Sequence, residues 1–262
     1  MNKGQILIVL VAVALFSALY FGFDTKPDKQ KVTERSRALQ GESTSFETLL
    51  EESAANLTAK QAEQVAEIER QIQSATEEGQ RIQLLKKLSG LWYDFGQIPI
   101  AGGFAEQVAE LENADSSWSV AGGTFFTALL GAKEPTLRQY CASHAVKAFE
   151  SAASLAPEKV EHRVNLALVW AENPPPDNPM HAVLMLRELE SKYPENASVY
   201  NALGRLAIKT GQWQRATERL EKAWSLDKKN SNTPCLLAQA YEGAGNIAKA
   251  TEYAQRCNRL KE

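Results

Sequence analysis

The sequence predicts an all-α fold, a solenoid of stacked helix pairs behind an N-terminal apolar helix. Three observations predict it. An uncharged run of 18 residues lies near the N-terminus, and apolar residues beyond position 45 recur at spacings of three or four, never two. A 34-residue period also runs through about the last hundred residues. The 262 residues suffice for one large core or two small ones. With 44% hydrophobic and 23% charged residues, the composition argues against wholesale disorder, collagen and multi-span membrane proteins. A net charge of −3 also argues against a nucleic-acid partner, which needs a clustered basic surface. Cys141, Cys235 and Cys257 are odd in number and contain no CxxC, so they are expected as separate packing thiols rather than a disulfide framework or zinc knuckle.

The elements follow in chain order. After a short flank at 1–5, Ile6 to Phe23 would span roughly 27 Å as a helix, close to a bilayer's hydrocarbon thickness. The run is too long for a secretory signal, and its end offers bulky Tyr20 and Phe21 instead of a cleavage site, so an uncleaved single-pass anchor is expected. The basic head directly before the apolar run favours an exported C-terminal part, although five basic residues follow the anchor. The expected location is therefore the cytoplasmic (inner) membrane, with the soluble domain on the periplasmic side. Residues 24–45 read as a charged tether, and what remains carries 23 basic and 28 acidic residues, a charge of −5. Capping-box spacings at Thr44-Ser-Phe-Glu47 and Thr58-Ala-Lys-Gln61 open a helical lead-in at 46–81, where Ala62, Val65, Ile68, Ile72 and Ala75 form one stripe.

The repeat array occupies 82–262. Leu203, Gly204, Ala207, Gly211, Ala216, Leu220 and Ala223 are matched one period later by Leu237, Ala238, Tyr241, Gly245, Ala250, Ala254 and Cys257. Upstream, Leu166-Ala167-x2-Trp170 pairs with Ala182-x3-Leu186-x2-Leu189 across the rigid turn Asn173-Pro-Pro-Pro-Asp-Asn-Pro179, where Asn178 is expected to cap the next helix. Earlier still, Trp118-x2-Ala121-Gly122-x2-Phe125 pairs with Ala145-x3-Phe149-x2-Ala152, with extra residues between the halves that imply longer helices. Leu88-Ser89-x2-Trp92 is the faintest trace. Units are expected near 82–114, 115–159, 160–196, 197–230 and 231–262.

The pattern Tyr200-x2-Leu203-Gly204-x2-Ala207 followed by Ala216-x3-Leu220 resembles the tetratricopeptide repeat (TPR) family. It departs at Lys228, which replaces the family's proline, and at Pro234 and Ala238 in the last unit. The layout is similar to that of single-pass bacterial TPR proteins. The resemblance implies a right-handed α-solenoid whose first helices line a concave groove for a protein partner, bound as a peptide or helix. Carried onto this sequence, groove positions include Leu168, Asn201, Arg205, Ile208 and Lys209, then Cys235, Gln239, Glu242 and Gly243. The clamp that some TPR domains use for a terminal carboxylate finds only Asn165, which disfavours that ligand.

Chemistry is otherwise sparse. His144, His162 and His181 lack HExxH or HxH spacing, and Cys141 with His144 has no third orienting group. Gly102-Gly103, Gly122-Gly123 and Gly243-Ala-Gly245 follow no strand, so they read as turn or packing glycines rather than phosphate cradles. No catalytic, cofactor or metal site is expected. The leading expectation is a membrane-tethered adaptor or scaffold serving export, envelope assembly or chaperone complexes. The alternative is structural: without a further closing helix, Leu236, Leu237, Ala240 and Tyr241 would be poorly covered and could drive homo-oligomerisation. An enzyme with an unrecognised site is the least favoured reading.

Overall fold

The computed structural model describes residue 5 and residues 44–260, and from Phe46 onward the chain forms one compact unit. Every regular element among the described residues is a helix. These are α1 (Phe46–Ala55), α2 (Ala59–Ser74), α3 (Glu78–Asp94), α4 (Ile98–Glu112), α5 (Asp115–Gly131), α6 (Pro135–Leu155), α7 (Val160–Glu172), α8 (His181–Lys192), α9 (Ala197–Lys209), α10 (Trp213–Leu226), α11 (Asn232–Gly243) and α12 (Ile247–Arg259).

Each helix packs on its neighbours in sequence from α2 onward, and α5, α7, α9 and α11 also touch one another in succession. Contact between every second helix is what makes a row of pairs into a solenoid with one face lined by the first helix of each pair. The same turn joins three of the pairs. Gly96, Gly211 and Gly245 take positive φ of 77°, 68° and 76°. The following N–H of Gln97, Gln212 and Asn246 then reaches back to Trp92, Ala207 and Tyr241 carbonyls at 2.8–3.0 Å. This satisfies orphan carbonyls at the helix end, and glycine takes the left-handed conformation without a Cβ penalty.

Where helices cross closely, the glycines are packing residues. A Cβ on Gly204 would meet Leu220 at 2.5 Å, and one on Gly122 or Gly102 would meet the Phe149 or Phe125 ring at 2.9 or 2.8 Å. Gly103 receives the ring of Phe46, which also meets Phe104 edge-on at 5.2 Å, so α1 docks against α4. The long pair α5 and α6 has 17 and 21 residues, as its extra sequence implied. Arg138 ties that pair to the next. Its guanidinium donates to the Leu129 and Ala132 carbonyls at the end of α5 and to the Glu172 carbonyl at the end of α7, at 3.0–3.2 Å.

Several expectations are corrected. The single-pass inner-membrane location is not supported: no helix among the described residues is long and apolar enough to cross a membrane, and the apolar segment 6–23 lies outside them. The cysteines are not three separate thiols. Because α11 and α12 run antiparallel, a residue early in one lies opposite a residue late in the other, and Cys235 and Cys257 form a disulfide with Cα atoms 4.9 Å apart. Only Cys141 is a free, buried packing thiol. The C-terminal face is covered too. Leu237, Ala240 and Tyr241 are buried in a cluster with Leu220 and Trp224 of α10 and with Ala250 and Tyr253 of α12, so three of the four residues offered for self-association are covered, while Leu236 is half-buried on the groove wall. At the proline-rich turn, α8 starts at His181 without a side-chain cap, and the Asn178 amide lies against the His181 ring instead. Thr58 and Gln61 form the full capping box at α2, whereas α1 begins one residue later than the Thr44 spacing implied.

Candidate functional site

The row of first helices is concave between α7, α9 and α11, and encloses a groove of about 710 Å³. Seven of the nine predicted groove residues line it: Leu168 from α7, Asn201, Arg205, Ile208 and Lys209 from α9, and Cys235 and Gln239 from α11. Glu242 does not line it, and Gly243 faces the Trp213 indole instead. Asn165, Asn201 and Asn232 line it from three different helices, at separations of 36 and 31 residues rather than at the 34-residue period.

The positive charge is divided unequally. Lys209 donates to the Ala171 carbonyl at 2.8 Å and to Glu172 at 2.7 Å, so it caps α7 and is neutralised in place. Arg205 has no carboxylate partner among the described residues. Its guanidinium lies 5.9 Å from the Phe126 ring centre, held by the ring's negative face. Asn201 accepts from the buried Thr233 hydroxyl at 3.0 Å, which fixes its amide, and its Nδ2 is buried without a partner rather than presented to the groove. The groove thus offers an unpaired cation beside the apolar side chains of Leu168 and Ile208.

A second concavity, about 950 Å³, opens between α3, α4 and α5, lined by Ile82, Tyr93, Val108, Leu111 and Val120. Sequence reasoning missed it. The signal available was the length of the α5–α6 unit, whose first helix does not close against α3 as the later first helices close on one another.

The titratable groups are engaged elsewhere. His144 Nδ1 donates to the Glu106 carboxylate across 2.6 Å, and its ring stacks on Phe125 and lies tilted against Tyr140, while Lys147 reaches the same carboxylate at 2.7 Å. Burial would push the Glu106 carboxyl up, but the hydrogen bonds and charges of His144 and Lys147 outweigh it and hold it below its ordinary 4.5. Burial pushes the Cys141 thiol up to about 12, which keeps it protonated and unreactive beside His144. His162 meets Asp115 at 3.0 Å, and His181 packs on the Trp170 ring at 4.0 Å. Among the described residues no group of three or more His, Cys, Asp or Glu side chains could hold a metal ion.

No protein-family model matches the chain, and no curated protein matches it. Solved structures similar to it include MamA from Desulfovibrio magneticus RS-1, at 18% identity over 69% of this chain and 94% of that one, with a TM-score of 0.41. YrrB, a TPR protein with an unusual peptide-binding site, is similar at 15% identity over 68% and 84%, with a TM-score of 0.37. BtubC from P. vanneervenii is similar at 19% identity over 78% and 92%, with a TM-score of 0.46. At such identities and TM-scores no site or partner carries over from them.

Proposed function

We propose that this chain is a protein-interaction scaffold that holds an extended peptide segment of a protein partner in the groove between α7, α9 and α11. The observation that carries this reading is the arrangement on α9 and its neighbours: a cation without a carboxylate, with apolar side chains beside it on a concave wall. An extended peptide presents one carbonyl and one N–H per residue. The side-chain amides of Asn165, Asn232 and Gln239 on the groove wall each carry a donor and an acceptor that can meet them. Arg205 would favour a segment with an acidic side chain near the middle of the groove, and Leu168 and Ile208 would receive an apolar one.

Photo-cross-linking from position 205 in intact cells tests the assignment. A discrete adduct is expected, and it should disappear when Asn201→Ala and Gln239→Ala are combined. An adduct pattern unchanged by those substitutions, or identical to that from exposed Arg187 on α8, overturns the reading.

A further inference from the structure

The terminal pair differs from the others in how it is held. α10 buries Ala216, Thr217, Leu220, Ala223 and Trp224, whereas α12 buries only Cys257. Ala250 and Tyr253 are half-buried and Ile247 is 63% exposed. Its other attachments are weak ones. The Tyr253 ring stacks on Tyr241 at 5.6 Å, and Lys249 reaches Tyr241 and Glu221 at 2.9 and 3.2 Å from an exposed position. A helix with so little apolar burial does not dock firmly by packing alone. The covalent link at Cys257 therefore carries much of the attachment.

The two sulfurs are also unequal in access. Cys257 is 8% exposed, while Cys235 is half-buried and lines the groove wall, where a thiol can approach it from solvent. We infer that the Cys235–Cys257 disulfide is a redox modification site, opened by a dithiol reductant, and that its reduction releases α12 from α11. The reductant's thiolate attacks Cys235 Sγ, forming a mixed disulfide while Cys257 Sγ leaves as a thiolate and takes up a proton. The reductant's second thiol, as thiolate, then attacks the mixed disulfide, and Cys235 leaves as a thiolate and is protonated. The chain gains two electrons and two protons, and the dithiol becomes a disulfide. This inference does not rest on what the groove binds.

The test uses the full chain without ligand. Cys141 is buried with its thiol pushed up to about 12, so it stays silent to a maleimide in the folded state. Maleimide uptake should therefore rise from none to two sites after incubation with a dithiol under native conditions. Amide exchange in α12 should accelerate at least tenfold on reduction, while α9 and α10 change less than twofold. The Cys235→Ser and Cys257→Ser double variant should match the reduced chain. A bond that the dithiol leaves intact in the folded chain overturns the inference. So does α12 exchange that is unchanged once maleimide uptake shows the bond to be open, and this result is read on the unsubstituted chain even if the variant does not fold.

Discussion

Replacing Gly204 and Gly123 by alanine should change stability in opposite directions, although both glycines lie inside helices. Alanine is favoured over glycine in a helix interior by about 0.5–1 kcal/mol, and that gain applies to both sites. At Gly123 on α5 a Cβ meets nothing within 4 Å, so the gain stands alone and Gly123→Ala should stabilise by about that amount. At Gly204 the Cβ would lie 2.5 Å from Leu220 Cγ and 2.6 Å from Cδ2. The nearest atom is the branch point of a side chain with no exposed surface, so it has no free space to rotate into. Overpacking of this kind costs about 1–3 kcal/mol, which exceeds the propensity gain, and Gly204→Ala should be destabilising overall. The difference between the two variants isolates the overpacking penalty. For a urea dependence of about 2 kcal/mol/M, it should separate their midpoints by roughly 0.5–1.5 M. The assay is urea unfolding followed by helical circular dichroism, accepted where the slopes agree. A double-mutant cycle sharpens it: in a Leu220→Ala background, Gly204→Ala should become neutral or stabilising. Coincident midpoints for Gly204→Ala and Gly123→Ala, or a penalty that survives removal of Leu220, would refute the crossing geometry.

Three further outcomes are expected. Glu106→Gln removes the partner of His144 and Lys147 and should destabilise by about 1–3 kcal/mol near pH 6; because the folded carboxyl sits below 4.5, its contribution is present above that value and fades as pH falls through the lower folded value, so thermal melts of wild type and variant should converge toward pH 3. Gly103→Ala should undock α1 without unfolding the array, because its Cβ would come within 2.2 Å of the Phe46 ring, the far end of a side chain that can swing out; rapid proteolysis confined to residues 46–55 is the expected readout, and loss of the whole array's protection would contradict it. Joint loss of Cys235 and Cys257 should lower the stability of the terminal pair by about 3 kcal/mol on the chain-entropy model for a 22-residue separation, measured by denaturant-dependent amide exchange.

The solenoid was legible in the sequence where its period is undistorted. Leu203, Gly204, Ala216, Leu220 and Ala223 are all buried, and their register with Leu237 and Cys257 is the register of two stacked pairs. The groove residues on α9 were reached through the resemblance, which assigns fixed places on each first helix once the period is set. Legibility fades upstream because the α5–α6 pair is longer than one period, so its contacts no longer repeat at 34 residues. Arg138 could not be anticipated: it acts on the backbone carbonyls of Leu129, Ala132 and Glu172, and no side-chain pattern marks them. Nor could the division of charge in the groove, because Arg205 and Lys209 are both basic residues on α9. Only the placement of Glu172 and the open end of α7 separates a spent cation from an available one.

The disulfide was within reach of the same register and shows what reading cysteines by spacing alone discards. A gap of 22 residues resembles no metal or redox motif, so linear spacing treats Cys235 and Cys257 as unrelated. Within a helix pair that gap has a structural meaning. One period upstream the two positions are Asn201 and Ala223, on the first and second helices of the preceding pair, and both pairs bring those positions to the same junction. Ala223 is fully buried there, and Asn201 gives its amide oxygen to Thr233. In the last pair the same two positions hold Cys235 and Cys257, whose Cα atoms lie 4.9 Å apart. The same position that holds an amide bonded to Thr233 in one unit carries a disulfide sulfur in the next, and the groove wall contributed by α11 is thereby tied to the helix behind it.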